Sequence, residues 1–585
     1  MLPESAAQTA ASPEATSPRT HQLLLLVALF LLALLPRLYS AQSVGWNWDY
    51  PGSFTLVNFD EAGSCRAALA GFEYSPFVGQ QTIGLARLLG IGPSPEIIGD
   101  ASRVKAYCHG QGHMLVARSF SAVCGALTVV LTCLIALMLI PSRPEIAWTA
   151  GALLALSGFH ISQSHMATVD AASVFFIYAL LALMVYAVSY QRRWALWASP
   201  LLLVPAVLAK YWVFALLVYL VLVPERVWRY LSHGMSTGRC VLLLLSTAVL
   251  LALMTNSDFQ QAQYYPLLAL WFLVIPWRRI HRPMVVTWLL LPVLAYGLCQ
   301  LPLVAAYTTG GMTSAFGSGY AAIGWHKLLR NLVNVPAVLI VGLGLPACLV
   351  LPAGIRALLR GDIAGRAWWC LTPVLAFALF MAFVSPVTYY RHYLPLLPAA
   401  AVVAACGLFA TNWGRRRWFI LLFFVWPLLL AIDLVGDYHR DPRIQLRGWF
   451  EQHPRARVLA SYYVNPPTQA AGNTRLFAPE DAFGSADGLR RAQYLILSEN
   501  WYDTAFANEL NGPLVRDTSR LVKTRPEHAR FYREALAGKD PHLQWEQTIP
   551  VANFMPELLL HQRLYGTFQL FVGDLQIFRV HGKDE

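Results

Sequence analysis

The chain has 585 residues, of which 56% are hydrophobic and only 13% charged, and its mean hydropathy is +0.47. A soluble chain carries about 25% charged residues, so this composition excludes an ordinary soluble globular protein. The net charge of +12 does not indicate a nucleic-acid partner, because the basic residues are spread over short segments between apolar runs.

Residues 1–21 are rich in Ala, Ser, Thr and Pro and predict a disordered cytoplasmic tail. Residues 22–435 then contain a series of nearly uncharged apolar runs. A helix needs about 20 apolar residues to cross a bilayer, and these runs lack the alternation of a barrel strand, so they predict membrane-spanning helices. The clearest runs are Leu23–Leu35, Ala122–Ile140, Val174–Val188, Val241–Met254, Val335–Leu351 and Phe419–Ile432.

Basic residues mark every second connection between the apolar runs, for example at Arg192 and Arg193 and at Arg415 to Arg417. The positive-inside rule assigns such connections to the cytoplasm. Counting alternately predicts about 13 spans, with the N-terminus inside and the C-terminus outside. The short pair around 241–254 and 265–277 is equally compatible with a re-entrant segment.

The first outer loop, residues 41–114, is unusually long. Its stretch from Phe72 to Leu89 is amphipathic and is predicted to lie on the membrane surface. Cys65 and Cys108 share this loop, so a disulfide between them is possible in an oxidising compartment.

Residues 436–585 have the composition of a soluble domain and predict a small extracytoplasmic α/β domain. Arg457–Tyr463 and Ala492–Ser498 are predicted as short buried strands, and Phe568–Val572 with Leu575–Val580 as a hairpin around Gly573-Asp574. The stretch from Pro526 to Ala537 predicts a helix. The sequence shows no Gly-rich phosphate loop, which argues against a site for ATP or a nucleotide sugar.

Three carboxylates lie near the outer ends of predicted spans. Asp60 and Glu61 are adjacent in the first outer loop, and a solvated surface charge is the simpler interpretation of either one. Asp170 begins an apolar run, and an ionisable group at a helix end beside lipid is costly and usually functional. Together they are candidates for a general base with a charge or metal partner.

Three isolated cations, Arg118, Lys210 and Arg391, lie at the same predicted membrane face. Each one alone is compatible with an interfacial anchor whose charged end reaches the headgroups. Together with the carboxylates, they form the combination expected around a phosphate-bearing substrate.

Two histidine pairs, His109 with His113 and His160 with His165, have spacings that are compatible with metal ligation on helices. No cysteine or acid accompanies them on the same face. An interfacial histidine or a polar contact to an acceptor is therefore the favoured interpretation of both pairs.

Five short segments, in chain order and with the expected inside–outside alternation, carry a family resemblance. They are Phe59-Asp60-Glu61-Ala-Gly-Ser-Cys-Arg66-Ala-Ala-Leu-Ala-Gly71, Ala117-Arg118-Ser-Phe-Ser-Ala-Val-Cys-Gly125, Ser162-Gln-Ser164-His-Met-Ala-Thr-Val-Asp170 followed by Phe175-Phe176, Leu208-Ala-Lys210-Tyr211, and Tyr390-Arg391-His-Tyr393-Leu-Pro395-Leu-Leu-Pro398. Over most of residues 22–435 the chain resembles the GT-C membrane glycosyltransferases. The most similar branch is the protein O-mannosyltransferase-like superfamily (glycosyltransferase family 39), which includes the aminoarabinose transferase of lipid A. The sequence departs from the family at Asn58-Phe59, where a His-Pro or Tyr-Pro pair often precedes Asp-Glu.

The resemblance implies a polytopic helical GT-C fold and an inverting transferase that uses a polyprenyl-phosphate-linked sugar on the extracytoplasmic side of the plasma (inner) membrane. By this analogy Asp60 is the base that activates the acceptor hydroxyl, and Glu61 supports it. Asp170 orients the acceptor or a divalent cation, so metal dependence stays open. The implied phosphate-binding residues are Lys210, Arg118 and Arg391, and the candidate pocket residues are Tyr390, Tyr211 and His165. The acceptor is a lipid, a glycan or a protein.

Two other function classes compete with this interpretation. A transporter or lipid flippase would place ionisable residues at the bilayer midplane and show two related halves, whereas here the charges gather at outer helix ends. A structural or assembly protein would use the spans only as a platform for the C-terminal domain, and so many spans exceed what an anchor needs.

Overall fold

A computed structural model describes two large parts of the chain. They comprise residues 18–48, 54–71, 75–210, 325–360, 364–379 and 390–461, followed by residues 464, 466, 474–476, 492–499, 526–552, 554–555 and 573–581. Most of the predicted tail, the short apolar pair around 241–277, Tyr211 and the segment 568–572 lie outside these residues, so predictions that concern them are not tested by the structure.

The described part of the membrane region is mostly helical. Its helices are α1 (Pro18–Ser43), α2 (Gly63–Ala70), α3 (Pro76–Leu88), α4 (Ala101–Cys108), α5 (Gln111–Leu139), α6 (Pro144–Ala155), α7 (Gly158–Ser164), α8 (Val169–Ser189), α9 (Arg193–Ala209), α10 (Trp325–Leu343), α11 (Leu345–Arg360), α12 (Ala364–Leu379), α13 (Leu396–Ala410), α14 (Arg417–Tyr438) and α15 (Pro442–Gln452). Helix α5 packs between α1 and α8, and α13 packs against α6 and α11. One continuous apolar core joins these helices.

Four of the described helical segments are long and apolar enough to cross a bilayer: Thr20–Ser43, Gln111–Leu139, Val169–Ser189 and Arg417–Gln452. Five of the six predicted apolar runs lie in or across helices of this part of the chain. The number of about 13 spans stays a prediction, since several predicted spans fall outside the described residues.

The predicted run Val335–Leu351 is not one straight helix, and the structure corrects that expectation. Helices α10 and α11 meet at Gly344 and are bent by 116°. Gly344 has a φ of +87°, a left-handed conformation that costs little only for a residue without a Cβ atom. Apolar composition does not reveal such a break, because it is the same on both sides of the glycine.

The first outer loop folds into the three short helices α2, α3 and α4, and a disulfide joins Cys65 of α2 to Cys108 of α4. Helix α3 lies within the predicted amphipathic stretch. It buries Val78 and Ile83, whereas Leu88 and Leu89 at its C-terminal end are exposed. Its location on the membrane surface stays a prediction.

The C-terminal part contains a five-stranded mixed sheet and helix α16 (Pro526–Leu536). The strands are β1 (Val458–Ser461), β2 (Thr474–Leu476), β3 (Tyr494–Ser498), β4 (Leu543–Ile549) and β5 (Leu575–Val580), and their order across the sheet is β2-β1-β3-β5-β4. Strands β1, β2 and β3 run parallel, and β5 runs antiparallel to both β3 and β4.

The predicted hairpin of 568–572 with 575–580 is described only in its second strand, because residues 568–572 lie outside the described residues. Strand β5 exists as predicted, but its two edges are hydrogen-bonded to β3 and β4 over its whole length. The Gly573-Asp574 turn signal reflects a real left-handed glycine (φ +63°), but local turn chemistry does not specify which strand becomes the neighbour.

Candidate active site at the outer ends of four helices

The Asp60 turn is a short 3-10 helix, Phe59–Ala62, that leads directly into α2. The Asn58 side chain accepts a hydrogen bond from the backbone N–H of Asp60 at 3.0 Å. In return, the Glu61 carboxylate accepts one from the Asn58 backbone N–H at 3.3 Å. This reciprocal capping arrangement explains why Asn precedes the Asp-Glu pair, and it fixes the direction in which the Asp60 side chain leaves the backbone.

Glu61 and Arg118 form a fully buried ion pair next to this turn. Arg118 donates from Nε to Glu61 Oε1 at 2.8 Å and from Nη2 to Oε2 at 2.9 Å. The Glu61 carboxylate also accepts from the backbone N–H groups of Val57 at 2.8 Å and Ala167 at 3.0 Å. A buried pair of this kind is tolerable only because its remaining hydrogen-bonding capacity is used.

The other contacts of Arg118 correct the expectation that it faces a lipid phosphate beside Lys210 and Arg391. Its Nη1 donates to the carbonyl of Val44 at 2.6 Å and its Nη2 to that of Thr55 at 3.1 Å. All three guanidinium nitrogens are therefore occupied within the protein. Arg118 joins the end of α1, the first outer loop and α5, and the sequence alone does not separate such a linking arginine from a substrate-binding one.

The remaining four charged candidates come together in one cluster, although they are widely separated in sequence. Asp170 lies in the first turn of α8, Lys210 directly after α9, and Arg391 in the 3-10 turn Tyr390–Tyr393. Lys210 forms an ion pair with Asp170, and Arg391 forms one with Asp60. Arg391 Nε also lies 3.9 Å from Asp170 Oδ2.

The four side chains of the cluster differ in their solvent exposure. The side chain of Asp170 is 0% exposed, that of Lys210 9%, that of Arg391 11% and that of Asp60 14%. Asp170 is thus a fully buried anion beside two cations, whereas Asp60, Arg391 and Lys210 are each partly exposed. Two negative and two positive charges balance here, so each buried or partly buried charge has an opposite charge beside it.

The three candidate pocket residues have different surroundings. Tyr390 is buried in the main apolar core directly beside Arg391, and Tyr211 lies outside the described residues. His165 is buried, its Nδ1 lies 2.7 Å from Ser40 Oγ, and its ring meets Tyr438 edge-on with the ring centroids 4.5 Å apart. Burial lowers the pKa of His165 to about 3, with a further decrease from the Arg118 charge, so the imidazole is neutral at physiological pH.

Binding of a divalent cation stays a prediction. In the described ranges no three His, Cys, Asp or Glu side chains come together as ligands. Asp60 and Asp170 face Arg391 and Lys210 instead, which supply positive charge at the positions where a cation would be bound. The paired histidines of the outer loops do not complete a metal site in this part of the chain.

Two arginines near the site were not identified from the sequence. Arg37 of α1 is fully buried and donates to the Ala155 carbonyl and to His160 Nδ1. Arg443 of α15 donates from Nη2 to the carbonyl of Leu56 at 2.8 Å, just before the Asp60 turn. The sequence does signal the start of α15, because Asp441 followed by Pro442 is a typical N-terminal cap, but it gives no sign of a contact with residue 56.

Residues 74–279 match the family model described as dolichyl-phosphate-mannose-protein mannosyltransferase. This match confirms the resemblance to the O-mannosyltransferase-like GT-C enzymes that the motifs indicate. The mostly helical architecture with several apolar helices agrees with this similarity over residues 74–279. No curated protein sequence matches the chain.

The chain is also similar in fold to solved structures of two kinds. The oligosaccharyltransferase of Archaeoglobus fulgidus, crystallised with zinc and sulfate, is 12% identical, with a TM-score of 0.47 over 82% of this chain and 69% of that one. ArnT from Cupriavidus metallidurans bound to undecaprenyl phosphate is 15% identical, with a TM-score of 0.40 over 85% of this chain and 97% of that one. The apo form of that ArnT is 17% identical, with a TM-score of 0.29. At these values the similarities say nothing about substrate.

Proposed function

We propose that this protein transfers a sugar from a polyprenyl-phosphate donor to an acceptor hydroxyl on the extracytoplasmic side of the plasma membrane, with inversion at the anomeric carbon. The observation that carries the proposal is the cluster of Asp60, Asp170, Lys210 and Arg391, which places a reachable carboxylate beside two cations at the ends of helices. The description of the family model that matches residues 74–279 names dolichyl-phosphate-mannose as the donor. Dolichyl phosphate is a polyprenyl phosphate.

Each member of the cluster has a role in the proposed reaction. The oxygen of the acceptor hydroxyl bonds to the anomeric carbon, and Asp60 accepts the proton of that hydroxyl at the same time. The bond from that carbon to the phosphate oxygen breaks at the same time, and the phosphate leaves with the electron pair. Lys210 and Arg391 neutralise the charge that grows on the leaving phosphate, inside a site that largely excludes water. Asp170 holds the two cations in place, as its burial and its contacts to both of them indicate.

The Asp60–Arg391 ion pair gives the proposal an order of events. When a donor phosphate binds, it competes with Asp60 for the guanidinium of Arg391. Asp60 then loses its partner and becomes available as a base only after the donor is in place. The roles of Glu61 and Arg118 are to support the Asp60 turn rather than to contact substrate.

An Asp60→Asn substitution tests the central step. We expect donor turnover by purified protein in nanodiscs to fall about 100- to 10,000-fold, the usual contribution of a positioned general base. The measurement is the release of free polyprenyl phosphate from a panel of polyprenyl-phosphate sugars. The matched control is Glu96→Gln, which removes an exposed carboxylate from the same outer loop and should leave turnover unchanged.

Full turnover by the Asp60→Asn variant would refute the assignment of the base. Accumulation of a labelled solute in sealed vesicles, with the donor intact, would instead favour a transporter or flippase.

A further inference from the structure

The C-terminal part of the chain contacts the first outer loop directly, through helix α15. The apolar face of α15 presents Leu446, Trp449 and Phe450 to a buried cluster that also contains Val57 and Met166. The Phe450 ring meets Trp48 edge-on, with the ring centroids 5.9 Å apart. Val57, which precedes the Asp60 turn, and Met166 thus share one apolar core with strands of the C-terminal sheet.

Within this interface, Arg443 makes a directed polar contact to the backbone that precedes the Asp60 turn. Its side chain is 2% exposed, and its Nη2 donates to the Leu56 carbonyl at 2.8 Å. The next residue, Val57, donates its backbone N–H to Glu61. The hydrogen bond from Arg443 therefore fixes the peptide that begins the network around the turn.

Asp441 prevents the Arg443 guanidinium from turning away. Its two carboxylate oxygens accept from Arg443 Nε at 3.0 and 3.1 Å, and Oδ2 also accepts from Nη2 at 2.6 Å. Oδ1 additionally caps the start of α15 by accepting from the Arg443 backbone N–H at 2.9 Å. A guanidinium fork gripped on one side by a carboxylate presents its remaining donors in a fixed direction.

We propose that Arg443 is a positioning residue through which the C-terminal α/β part of the chain holds the Asp60 turn in its active geometry. The inference rests on the proposed role of Asp60, because a turn needs precise placement only if it bears a reacting group. It assigns the C-terminal part a function in the transfer step itself. It also explains why a buried charge is placed here, since an apolar side chain could fill the space but could not bond the Leu56 carbonyl.

The test compares Arg443→Met with Arg447→Met in the full-length protein. Arg447 lies on the same helix and is about half exposed, and it pairs only loosely with Glu451 at 3.6 Å. We expect Arg443→Met to lower kcat for donor consumption by about 10- to 100-fold, the range that a small misplacement of a reacting group produces. KM for the donor should not change, because Lys210 and Arg391 are untouched. Arg447→Met should behave like the wild type.

A second readout does not depend on activity. Hydrogen–deuterium exchange of peptides covering residues 54–62 should speed up in Arg443→Met and not in Arg447→Met. If the wild type consumes no donor, the proposed function fails, whereas the exchange data still decide whether Arg443 orders the turn. If Arg443→Met does not fold, Arg443→Lys replaces it, because it keeps the charge beside Asp441 and loses the planar fork.

If a folded Arg443 variant shows the same rate of hydrogen–deuterium exchange over residues 54–62 as the wild type, the proposal is overturned. It is also overturned by a variant whose melting temperature falls while the folded fraction keeps the wild-type kcat, since that result indicates a structural contribution alone.

Discussion

Neighbouring acidic residues of the first outer loop have opposite surroundings. Asp60 is partly exposed and forms an ion pair with Arg391, and in the proposed mechanism the donor phosphate replaces Asp60 at that guanidinium. Glu61 is buried and accepts hydrogen bonds from Arg118 and from three backbone N–H groups. Its carboxylate is part of the scaffold, so the proposed base and the group that supports it are adjacent in sequence.

Glu61→Gln is therefore expected to act mainly on stability. It leaves the Arg118 charge buried without a counter-charge, and breaking a buried pair costs about 3–5 kcal/mol. The measurement is the melting temperature and free energy of unfolding in detergent. The matched control is Glu145→Gln, whose partner Arg143 is at the surface with both side chains nearly half exposed, and such a pair contributes about 0–1 kcal/mol. Equal effects of the two substitutions would contradict the scaffold role of Glu61.

At the scale of single residues, the sequence identifies which side chains are chemically capable but not how they are paired. The position of Asp60, Asp170, Lys210 and Arg391 at predicted outer helix ends was enough to propose one cluster, and the structure brings all four together. Arg118 has the same residue type and the same kind of position, but it faces Glu61. Arg118 differs from the four cluster residues because it binds the backbone carbonyls of Val44 and Thr55. The path of the backbone at those two residues is not visible in the sequence.

Among the helices, α11 and α13 approach each other unusually closely. A Cβ atom on Gly354 would overlap the carbonyl group of Val403, and one on Gly407 would overlap that of Val350. Contact at this distance relies on the absence of a side chain, as is common where helices pack within membranes. Helix α13 leads out of the turn that holds Arg391, so the close packing anchors the support of one site cation.

Gly354→Ala is expected to destabilise the bundle by about 1–3 kcal/mol, the usual cost of forcing an extra carbon into a packed interface. The shift should appear as a lower melting temperature of the purified protein. Gly84→Ala is the control, because a Cβ atom on that helical glycine meets nothing within 4 Å and alanine favours a helix by up to about 1 kcal/mol. An unchanged melting temperature for Gly354→Ala would show that α11 and α13 can separate without cost.

Elements were predictable where one local signal determines them. Long apolar runs gave the approximate positions of α1, α5, α8 and α14, and β1, β3 and β5 follow from short apolar stretches bounded by polar residues. The 116° bend at Gly344 and the two neighbours of β5 were missed. Both depend on contacts with residues distant in sequence, which hydropathy does not record.

For the molecule as a whole, the disulfide between Cys65 and Cys108 bears on orientation. Disulfides persist in oxidising compartments and are rare in the cytosol. The pair therefore favours an extracytoplasmic first outer loop, and the cluster beneath that loop would face the same side. This agrees with the orientation predicted from the basic connections, although the two arguments use unrelated residues.

Thiol labelling of the denatured protein checks the pairing. We expect maleimide-PEG to add two more labels after reduction than before it in wild-type protein isolated from the membrane, because two of the nine cysteines are released. The Cys65→Ser/Cys108→Ser double variant should give the same labelling with and without reductant. That variant is also expected to lose about 2–5 kcal/mol of stability. Identical labelling of the reduced and unreduced wild type would contradict the disulfide and remove its support for the orientation.

The members of the charged cluster are widely spaced along the chain, with Arg391 following Asp60 by 331 positions. A ribosome makes the chain from its N-terminus, so Asp60 reaches the outer face long before its partner has been synthesised. The base, the cations and the supporting Arg443 coexist only when the last helices have been inserted and the C-terminal sheet has folded. Under the proposed mechanism, newly made chains are therefore inactive until Arg391 and the C-terminal sheet are in place, so a partly made chain does not consume the lipid-linked donor.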